Sequence, residues 1–316
     1  MPTPPQSLCV LADRYLMPNE VQTLERAVEQ TGIDISLVVV NDESDTTIDP
    51  DAEARAVNEG LGLHTLRILW DVLARERAWS LVLAEKKLAE TCGSEAASTG
   101  RIPIEEVACL QDSEFRYVEP LEDDGWKELP QPTVEEIAQQ CDLCVRFGFG
   151  LLQGAVLTAP AYGVLSFHPA DIREYRGLGV PQAWLDDRDR MGVTLQRLSA
   201  EIDSGEIVAY EETDVSDCRT LWEAYDRLYD VKADLLAVGI ERLRDPTVEM
   251  TVPESLGQYY SITRRYELGF SARTLWKNLL GHGEQARCAA RQRFRTATTR
   301  PFADSQVETR TENSDD

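Results

Sequence analysis

Lysine is scarce in this chain of 316 residues, which carries it only at Lys86, Lys87, Lys127, Lys232 and Lys277. Acidic residues number 56 against 32 basic ones, so the formal net charge is −24. A surface with so little positive charge repels polyanions, and nucleic acid is therefore not an expected partner. An acidic, lysine-poor surface is typical of halophilic proteins, because high salt screens the repulsion between carboxylates. The alternative is an ordinary acidic cytosolic protein.

Long apolar runs are also lacking, and no membrane span or membrane partner is expected. The segment MPTPPQSLCVLAD has no basic region before its apolar run, which argues against a secretory signal and favours a cytoplasmic location. The seven cysteines are scattered and odd in number, as is typical of reduced thiols in that compartment. The single CxxC pair, Cys141 and Cys144, has no second pair or nearby histidine, so no metal site is expected.

Apolar runs alternate with helical patterns through the first half of the chain. Strands are predicted at 7–13, 34–42, 104–110, 142–149 and 162–168. This βαβα order predicts an α/β fold, with a Rossmann-like parallel sheet and helices on both faces. No GxGxxG follows the first strand, so a dinucleotide loop is not expected.

Two further segments complete the predicted organisation. A helical insertion is expected at about 53–90, and its exposed apolar positions could support a homodimer. Strands at 192–198 and 206–213 flank the turn EIDSG as an antiparallel ribbon, and an amphipathic helix follows at 220–243. The segment RDPTVEMTVPE then separates a catalytic domain, 1–250, from a C-terminal extension, 251–316, with one helix and an acidic end that is expected to be disordered.

Histidine is nearly as scarce as lysine, with only His64, His168 and His282. His64 lies beside a helical apolar face and His282 is expected at a helix end, so both are interpreted as structural. His168 ends the fifth predicted strand, within LSFHPADIREYRG, and the carboxyl ends of parallel strands face the ligand crevice. Its imidazole is suited to acid–base chemistry near neutral pH. The alternative is a buried histidine that bonds the backbone.

Asp203 lies in the turn EIDSG, and DSG is ordinary turn sequence. A carboxylate beside His168 would orient the ring and favour its charged form, although spacing alone does not bring the two together. Asp171 is either an acidic group near this site or a surface turn residue. Arg176 has the geometry to bind an anionic substrate group, or it forms a salt bridge on the acidic surface.

The motifs between about 141 and 208 resemble those of the folate-dependent formyltransferases, which act on methionyl-tRNA, glycinamide ribonucleotide or sugar amines, and of related deformylases. The matching segments are His168-Pro169, Tyr175-Arg176-Gly177, Gly192-Val193-Thr194 and Asp203-Ser204-Gly205. The resemblance implies the formyltransferase fold and a transferase of one-carbon groups, which moves a formyl group from 10-formyltetrahydrofolate to an amine. This chain departs from the family at Ser166, where the family has Asn, and at ADIRE, where it has Ser-Leu-Leu-Pro.

The resemblance also implies roles for individual residues. His168 would donate to the developing oxyanion with Asp203 as its partner, and either Ser166 or a water would replace the Asn amide. The folate pterin would be enclosed, largely through backbone groups, by Arg146, Phe147, Gly148, Phe149, Gly150, Leu151 and Leu152 together with Ser199, Ala200, Glu201 and Ile202.

The acidic chain favours a small-molecule amine over tRNA as the acceptor. Two alternatives remain open at the level of sequence. The first is deformylation, or another acyl or one-carbon transfer, on the same scaffold. The second is a non-catalytic binding protein with a degenerate site, which Ser166 suggests.

Overall fold

The structure, a computed structural model, describes residues 3–43, 73–91 and 100–298. Its centre is a seven-stranded sheet whose strands are β1 (Ser7–Ala12), β2 (Asp34–Asn41), β3 (Glu114–Val118), β4 (Leu143–Arg146), β5 (Val164–His168), β6 (Arg190–Arg197) and β7 (Glu206–Asp214). The strands are ordered β7-β6-β5-β4-β1-β2-β3 across the sheet. Strands β1 to β5 are parallel, and β6 and β7 extend the sheet in the antiparallel sense. The predicted α/β fold is therefore confirmed.

Helices cover both faces of this sheet. They are α1 (Pro18–Thr31), α2 (Ser80–Thr91), α3 (Gln131–Gln140), α4 (Gly179–Leu185), α5 (Leu221–Arg244) and α6 (Leu268–Thr298). In β1, Leu8 and Val10 join the core that contains α1 and α5, whereas Cys9 and Leu11 join the core beneath α3. Successive residues of a strand point to opposite faces, so a strand covered on both sides needs an unbroken apolar run. SLCVLA is such a run.

The prediction of a strand at 104–110 is wrong. This segment forms two short 3-10 helices, Ile104–Glu106 and Ala108–Leu110, and the third parallel strand is β3, further along the chain. Ile104, Val107 and Leu110 are buried. Their spacing of three matches the period of a 3-10 helix rather than the period of two that a half-buried strand requires.

The helical insertion is described only in part. Residues 73–91 are helical, with a 3-10 turn at Arg77–Trp79 before α2, in agreement with the prediction. The rest of the segment predicted at 53–90 and His64 lie outside the described residues. Further along, β6 and β7 form the predicted antiparallel ribbon. The helix predicted at 220–243 is α5, which begins after Thr220. The side-chain hydroxyl of Thr220 caps the helix by accepting a hydrogen bond from the backbone N–H of Glu223.

The residues after 250 pack against the sheet domain. The strand Gln258–Tyr260 pairs in parallel with Tyr175–Gly177, which follows His168 in the chain. The single helix predicted in this region is α6, and it is much longer than expected, so His282 lies inside it rather than at its end. The division into domains 1–250 and 251–316 stays a prediction, and the acidic end lies outside the described residues. No helix within the described ranges is long and apolar enough to cross a membrane.

Shorter strands complete the fold. Tyr15–Leu16 pairs with Ile102–Pro103. A small three-stranded sheet contains Leu121–Asp123, Trp126–Glu128 and Leu151–Gln153. The last of these begins directly after the loop that follows β4, so it holds one side of the predicted folate loop in place.

Candidate active site

His168 is the last residue of β5, and its side chain is buried. Its Nε2 lies 2.9 Å from the carbonyl oxygen of Tyr175, and its Nδ1 lies 3.4 Å from Oδ1 of Asp203. Both partner oxygens accept hydrogen bonds, and each faces one of the two ring nitrogens. The fold therefore brings together the two residues whose pairing the sequence spacing left open.

Asp203 occupies the left-handed region of backbone space, with φ of 48°. Its Oδ2 accepts the N–H of Gly177 at 2.8 Å, and its Oδ1 accepts Nε2 of Gln196 at 3.2 Å. Burial raises the pKa of this carboxyl group, but the hydrogen bond and charge of His168, together with the bonds from Gly177 and Gln196, outweigh burial and lower it to about 2. Asp203 is therefore ionised at neutral pH.

Gln196 is a site residue that the sequence reasoning missed. Its side chain is buried in β6, where Nε2 donates to Asp203 and Oε1 accepts the N–H of Gly205 at 3.2 Å. The side-chain amide of Gln196 thus links β6 to two residues of the turn, Asp203 and Gly205. The sequence did contain a signal for Gln196. Polar residues occupy alternate positions of GVTLQRL, at Thr194 and Gln196, and polar side chains in a buried strand need hydrogen-bond partners.

Ser166 lies two residues before His168, on the same face of β5, and is buried. Arg146, the last residue of β4, is its neighbour in the parallel register. The Nε and Nη2 atoms of Arg146 lie 3.2 and 2.9 Å from Oγ of Ser166. The Nη1 atom donates to the carbonyl oxygen of Gly150. The guanidinium group is thus fixed against the hydroxyl that replaces the expected Asn.

The predicted folate loop turns sharply after β4. Phe149 has φ of 65° and Gly150 has φ of 63°, and the Phe149 side chain is fully buried in the core beneath α3. A Cβ atom on Gly148 would lie 2.4 Å from the backbone nitrogen of Asp13, so the loop passes close against the end of β1. Asp13 Oδ1 also accepts the N–H of Phe149, at 3.2 Å. The role of the loop in binding a pterin stays a prediction.

A cavity of about 260 Å³ opens beside this loop, and its walls include Glu20, Arg146, Phe147, Ser166, Phe167 and Lys232. The Phe147 and Phe167 rings stack with centroids 5.9 Å apart, and the Lys232 ammonium lies over both. Lys232 Nζ is 3.9 Å from Oε1 of Glu20. Burial lowers the pKa of Lys232, which the Glu20 charge opposes, and burial raises the pKa of Glu20. The cavity therefore combines two basic side chains, Arg146 and Lys232, with the carboxyl group of Glu20.

The two predicted substrate-binding residues have partners within the protein. Arg176 Nε donates to the carbonyl of Gly257 at 2.9 Å, and its Nη1 donates to the carbonyl of Ile202 at 3.3 Å. Asp171 accepts two bonds from the Arg173 guanidinium, at 2.7 and 2.8 Å, and lines a separate cavity of about 190 Å³. Arg176 thus ties the predicted pterin turn to the C-terminal extension. Substrate binding by either residue stays a prediction.

The turn that contains Ser199, Ala200, Glu201 and Ile202 is stabilised locally. Ser199 Oγ lies 2.8 Å from Ser204 Oγ, and Ser204 Oγ donates to the Glu201 carbonyl at 3.0 Å. Among the residues that the structure describes, no cluster of His, Cys, Asp and Glu could hold a metal ion. Cys141 and Cys144 are buried free thiols within the sheet domain.

Comparisons with known proteins show what this chain is similar to. Residues 86–239 match the family model for formyl transferases. The methionyl-tRNA formyltransferases of Fusobacterium nucleatum and Lachnospira eligens are 31% and 32% identical to this chain over 150 and 119 residues. These matches cover 46% and 36% of this chain. They cover 46% and 38% of the relatives, so the chain spans less than half the length of the curated proteins it matches.

A solved structure shows the same fold. The sugar N-formyltransferase from a Shewanella species has a TM-score of 0.50 against this chain at 11% identity, and the match covers 87% of this chain and 88% of that one. Together with the family match, this confirms the resemblance that the His-Pro and Asp-x-Gly motifs predicted. Residues 86–239 of this chain are therefore similar to the formyl transferase family, and the fold is that of the Shewanella enzyme.

Proposed function

We propose that this protein is a transferase that moves a formyl group from 10-formyltetrahydrofolate to the amine of a small molecule. One observation carries the proposal. His168 and the ionised Asp203 form a buried pair at the carboxyl end of β5, within the residues that are similar to the formyl transferase family. This end of a parallel sheet is where α/β proteins bind their ligands.

The reaction needs little covalent chemistry from the protein. The amine nitrogen attacks the formyl carbon, and the carbonyl electron pair moves onto oxygen. The tetrahedral intermediate then expels N10 of the folate, which takes up a proton as the amine loses one. Positive charge and hydrogen-bond donors near the new oxyanion lower the barrier. In the proposal, Asp203 lies against Nδ1 of His168 and orients the ring beside the reacting carbonyl.

Folate is assigned to the crevice between two segments that flank this pair. The loop 146–152 leaves the end of β4, and the turn 199–202 precedes Asp203 directly. The contact between Arg176 and the Ile202 carbonyl supports a defined shape for the turn. In both segments, backbone groups at tight turns offer the hydrogen bonds that a flat, polar pterin ring requires.

A small amine is the proposed acceptor. The cavity of about 260 Å³ beside Ser166 is sized for a small molecule. The net charge of −24 disfavours a polyanion such as tRNA. Because the matched relatives are methionyl-tRNA formyltransferases, charged tRNA is the acceptor that competes with this proposal.

The test incubates the protein with 10-formyltetrahydrofolate and a panel of acceptors: nucleotide-linked amino sugars, amino acids, a ribosylamine phosphate and methionyl-tRNA. Release of tetrahydrofolate and mass spectrometry of formylated products are the measurements. We expect formylation of a small amine, and a loss of about 100-fold or more in kcat for His168→Asn. Asp112→Asn, an exposed change outside the site, is the matched control and should leave the rate unchanged.

Each other result has a definite meaning. Equal rates for the wild type and His168→Asn would remove the catalytic role of His168. Release of formate without an acceptor would establish a deformylase instead. Tight folate binding without turnover would establish a binding protein, and formylation of methionyl-tRNA alone would overturn the small-molecule acceptor.

A further inference from the structure

The hydroxyl of Ser166 is bonded in an unusual way for a residue that replaces an amide. Two N–H groups of one guanidinium, Nε and Nη2 of Arg146, donate to its Oγ atom at 3.2 and 2.9 Å. A hydroxyl oxygen offers two acceptor sites and one hydrogen. Both acceptor sites are therefore used, and what remains is the O–H hydrogen. Within the described part of the chain, that hydrogen has no acceptor.

The backbone fixes this pair. Arg146 and Ser166 are Cα partners in the parallel register of β4 and β5, which places their side chains side by side on one face of the sheet. The third nitrogen of the guanidinium, Nη1, donates to the carbonyl of Gly150 and anchors the group to the loop. Both residues line the cavity of about 260 Å³, so the free O–H and the cation meet at one wall.

The reaction needs a hydrogen-bond donor that His168 does not provide and that Ser166 can provide. Its Nε2 lies 2.9 Å from the Tyr175 carbonyl and its Nδ1 faces the Asp203 carboxylate at 3.4 Å, so neither nitrogen has a hydrogen to spare for a substrate. With both nitrogens engaged in this way, the ring supplies no direct hydrogen bond to a substrate. An oxyanion on the formyl group still needs a donor that touches it.

We propose that the Ser166 hydroxyl is this donor, and that Arg146 is the positioning residue that directs its O–H into the cavity. The proposal rests on the proposed formyl transfer and specifies how this chain performs it without the Asn amide. Arg146 also strengthens the donor, because a hydroxyl that accepts two charge-assisted bonds is polarised toward donation.

The step balances with no further reactant. The amine lone pair forms the new C–N bond, and the carbonyl electron pair moves to oxygen, where it accepts the O–H of Ser166. The C=O bond then re-forms, the bond to N10 of the folate breaks, and the proton that the amine loses passes to N10. Ser166 keeps its proton, and Arg146 stays charged throughout.

The experiment measures kcat and KM with 10-formyltetrahydrofolate as donor and hydroxylamine as the probe acceptor. Ser166→Ala removes the donor, Ser166→Thr keeps a hydroxyl, and Arg146→Met removes both N–H groups. We expect a fall in kcat of about 100-fold for Ser166→Ala with little change in KM for the folate, and recovery of most of the rate in Ser166→Thr. Arg146→Met should lower kcat by at least 10-fold.

The double variant Ser166→Ala/Arg146→Met separates positioning from mere structural support. If Arg146 acts through Ser166, the loss in the double variant should be well below the product of the two single losses, because the second change then affects only the contact of Nη1 with the Gly150 carbonyl. Independent, multiplying losses would overturn the positioning role. Titration with 5-formyltetrahydrofolate checks that the Ser166 variants bind folate with wild-type affinity, and circular dichroism checks that Arg146→Met, a change within the predicted folate loop, is folded.

Two failures are distinguishable. A wild type that transfers formyl, with Ser166→Ala equally fast, overturns the donor role and leaves the proposed function standing. A wild type that binds folate and never releases formyl overturns the proposed function and the donor role with it. If Ser166→Ala does not fold, Ser166→Cys replaces it; a thiol donates weakly, and wild-type kcat in that variant would count against the donor role.

Discussion

The low pKa of Asp203 predicts how stability depends on pH. The Asp203→Asn variant removes the charge but keeps a side chain that tolerates the left-handed backbone at this position. The carboxyl pKa falls from 3.8 to about 2 in the folded protein, and its side chain is only 16% exposed. A tenfold change in a proton-binding constant is worth about 1.4 kcal/mol, so the ionised Asp203 contributes about 2.5 kcal/mol to the free energy of unfolding.

The sign of the effect follows from the direction of the change. Because the folded-state pKa lies below the ordinary value, the stabilisation is fully present above about pH 5 and is lost as the pH falls through 3.8 toward 2. At pH 3, about half of it should remain. The excess of the wild type over Asp203→Asn in free energy of unfolding should therefore shrink by about 1.2 kcal/mol between pH 7 and pH 3.

Urea unfolding at fixed ionic strength, repeated at pH 7, 5, 4 and 3, measures both quantities. Asp112→Asn makes the same change in net charge at an exposed position and should track the wild type within about 0.5 kcal/mol throughout. A difference between wild type and Asp203→Asn that stays constant from pH 7 to pH 3 would show that the carboxylate is not held ionised by its partners. That result would refute the pairing with His168.

Two further predictions concern stability. A Cβ atom on Gly205 would lie 1.8 Å from the carbonyl oxygen of Arg197, so Gly205→Ala should lower the free energy of unfolding by about 2 kcal/mol or more and impair turnover. Gly283 lies inside α6 with nothing within 4 Å of an added Cβ atom, so Gly283→Ala should raise the free energy of unfolding by about 0.5–1 kcal/mol. Urea midpoints of the two variants test this contrast, and equal effects would contradict it. The carboxylate of Glu85 accepts bonds from Trp222, Asn278 and His282, at 2.9, 2.9 and 2.6 Å, and joins α2 to α5 and α6. Glu85→Ala should lower the free energy of unfolding by about 3 kcal/mol, because three donors lose a buried acceptor; a loss below about 1 kcal/mol would contradict this account of the network.

The presence of a parallel sheet could be predicted from local patterns, because buried parallel strands must be apolar on both faces, whereas the order of the strands came only from the structure. Runs such as SLCVLA and DISLVVVN have few other solutions within an α/β chain. The same reasoning failed at 104–110, where an apolar run had the spacing of a 3-10 helix and the strand lay further on, in the more polar EFRYV. Short apolar runs do not by themselves separate these two cases.

The residues of the candidate site differ in whether the sequence alone could identify them. His168 was identifiable because a histidine at the end of an inner strand faces the ligand crevice, and the motif order pointed to Asp203. The contact of Arg146 with Ser166 and the contact of Gln196 with Asp203 were not identifiable, because both depend on sheet register. Register is set by pairing between strands that are distant in sequence, and a shift of one residue would turn these side chains to the opposite face.

By itself, the sequence determined the class of the fold, the family resemblance and the residue types at the site, since periodicity and motif order are local properties of the chain. Its acidic composition also predicts a surface suited to high salt, which stays a prediction. Only the tertiary structure decided that His168 has both ring nitrogens engaged and that the Ser166 hydroxyl, held by Arg146, has no acceptor for its hydrogen among the residues that the structure describes. The physical reason is that a hydrogen bond requires two groups at a fixed distance and angle, and the folded sheet sets both.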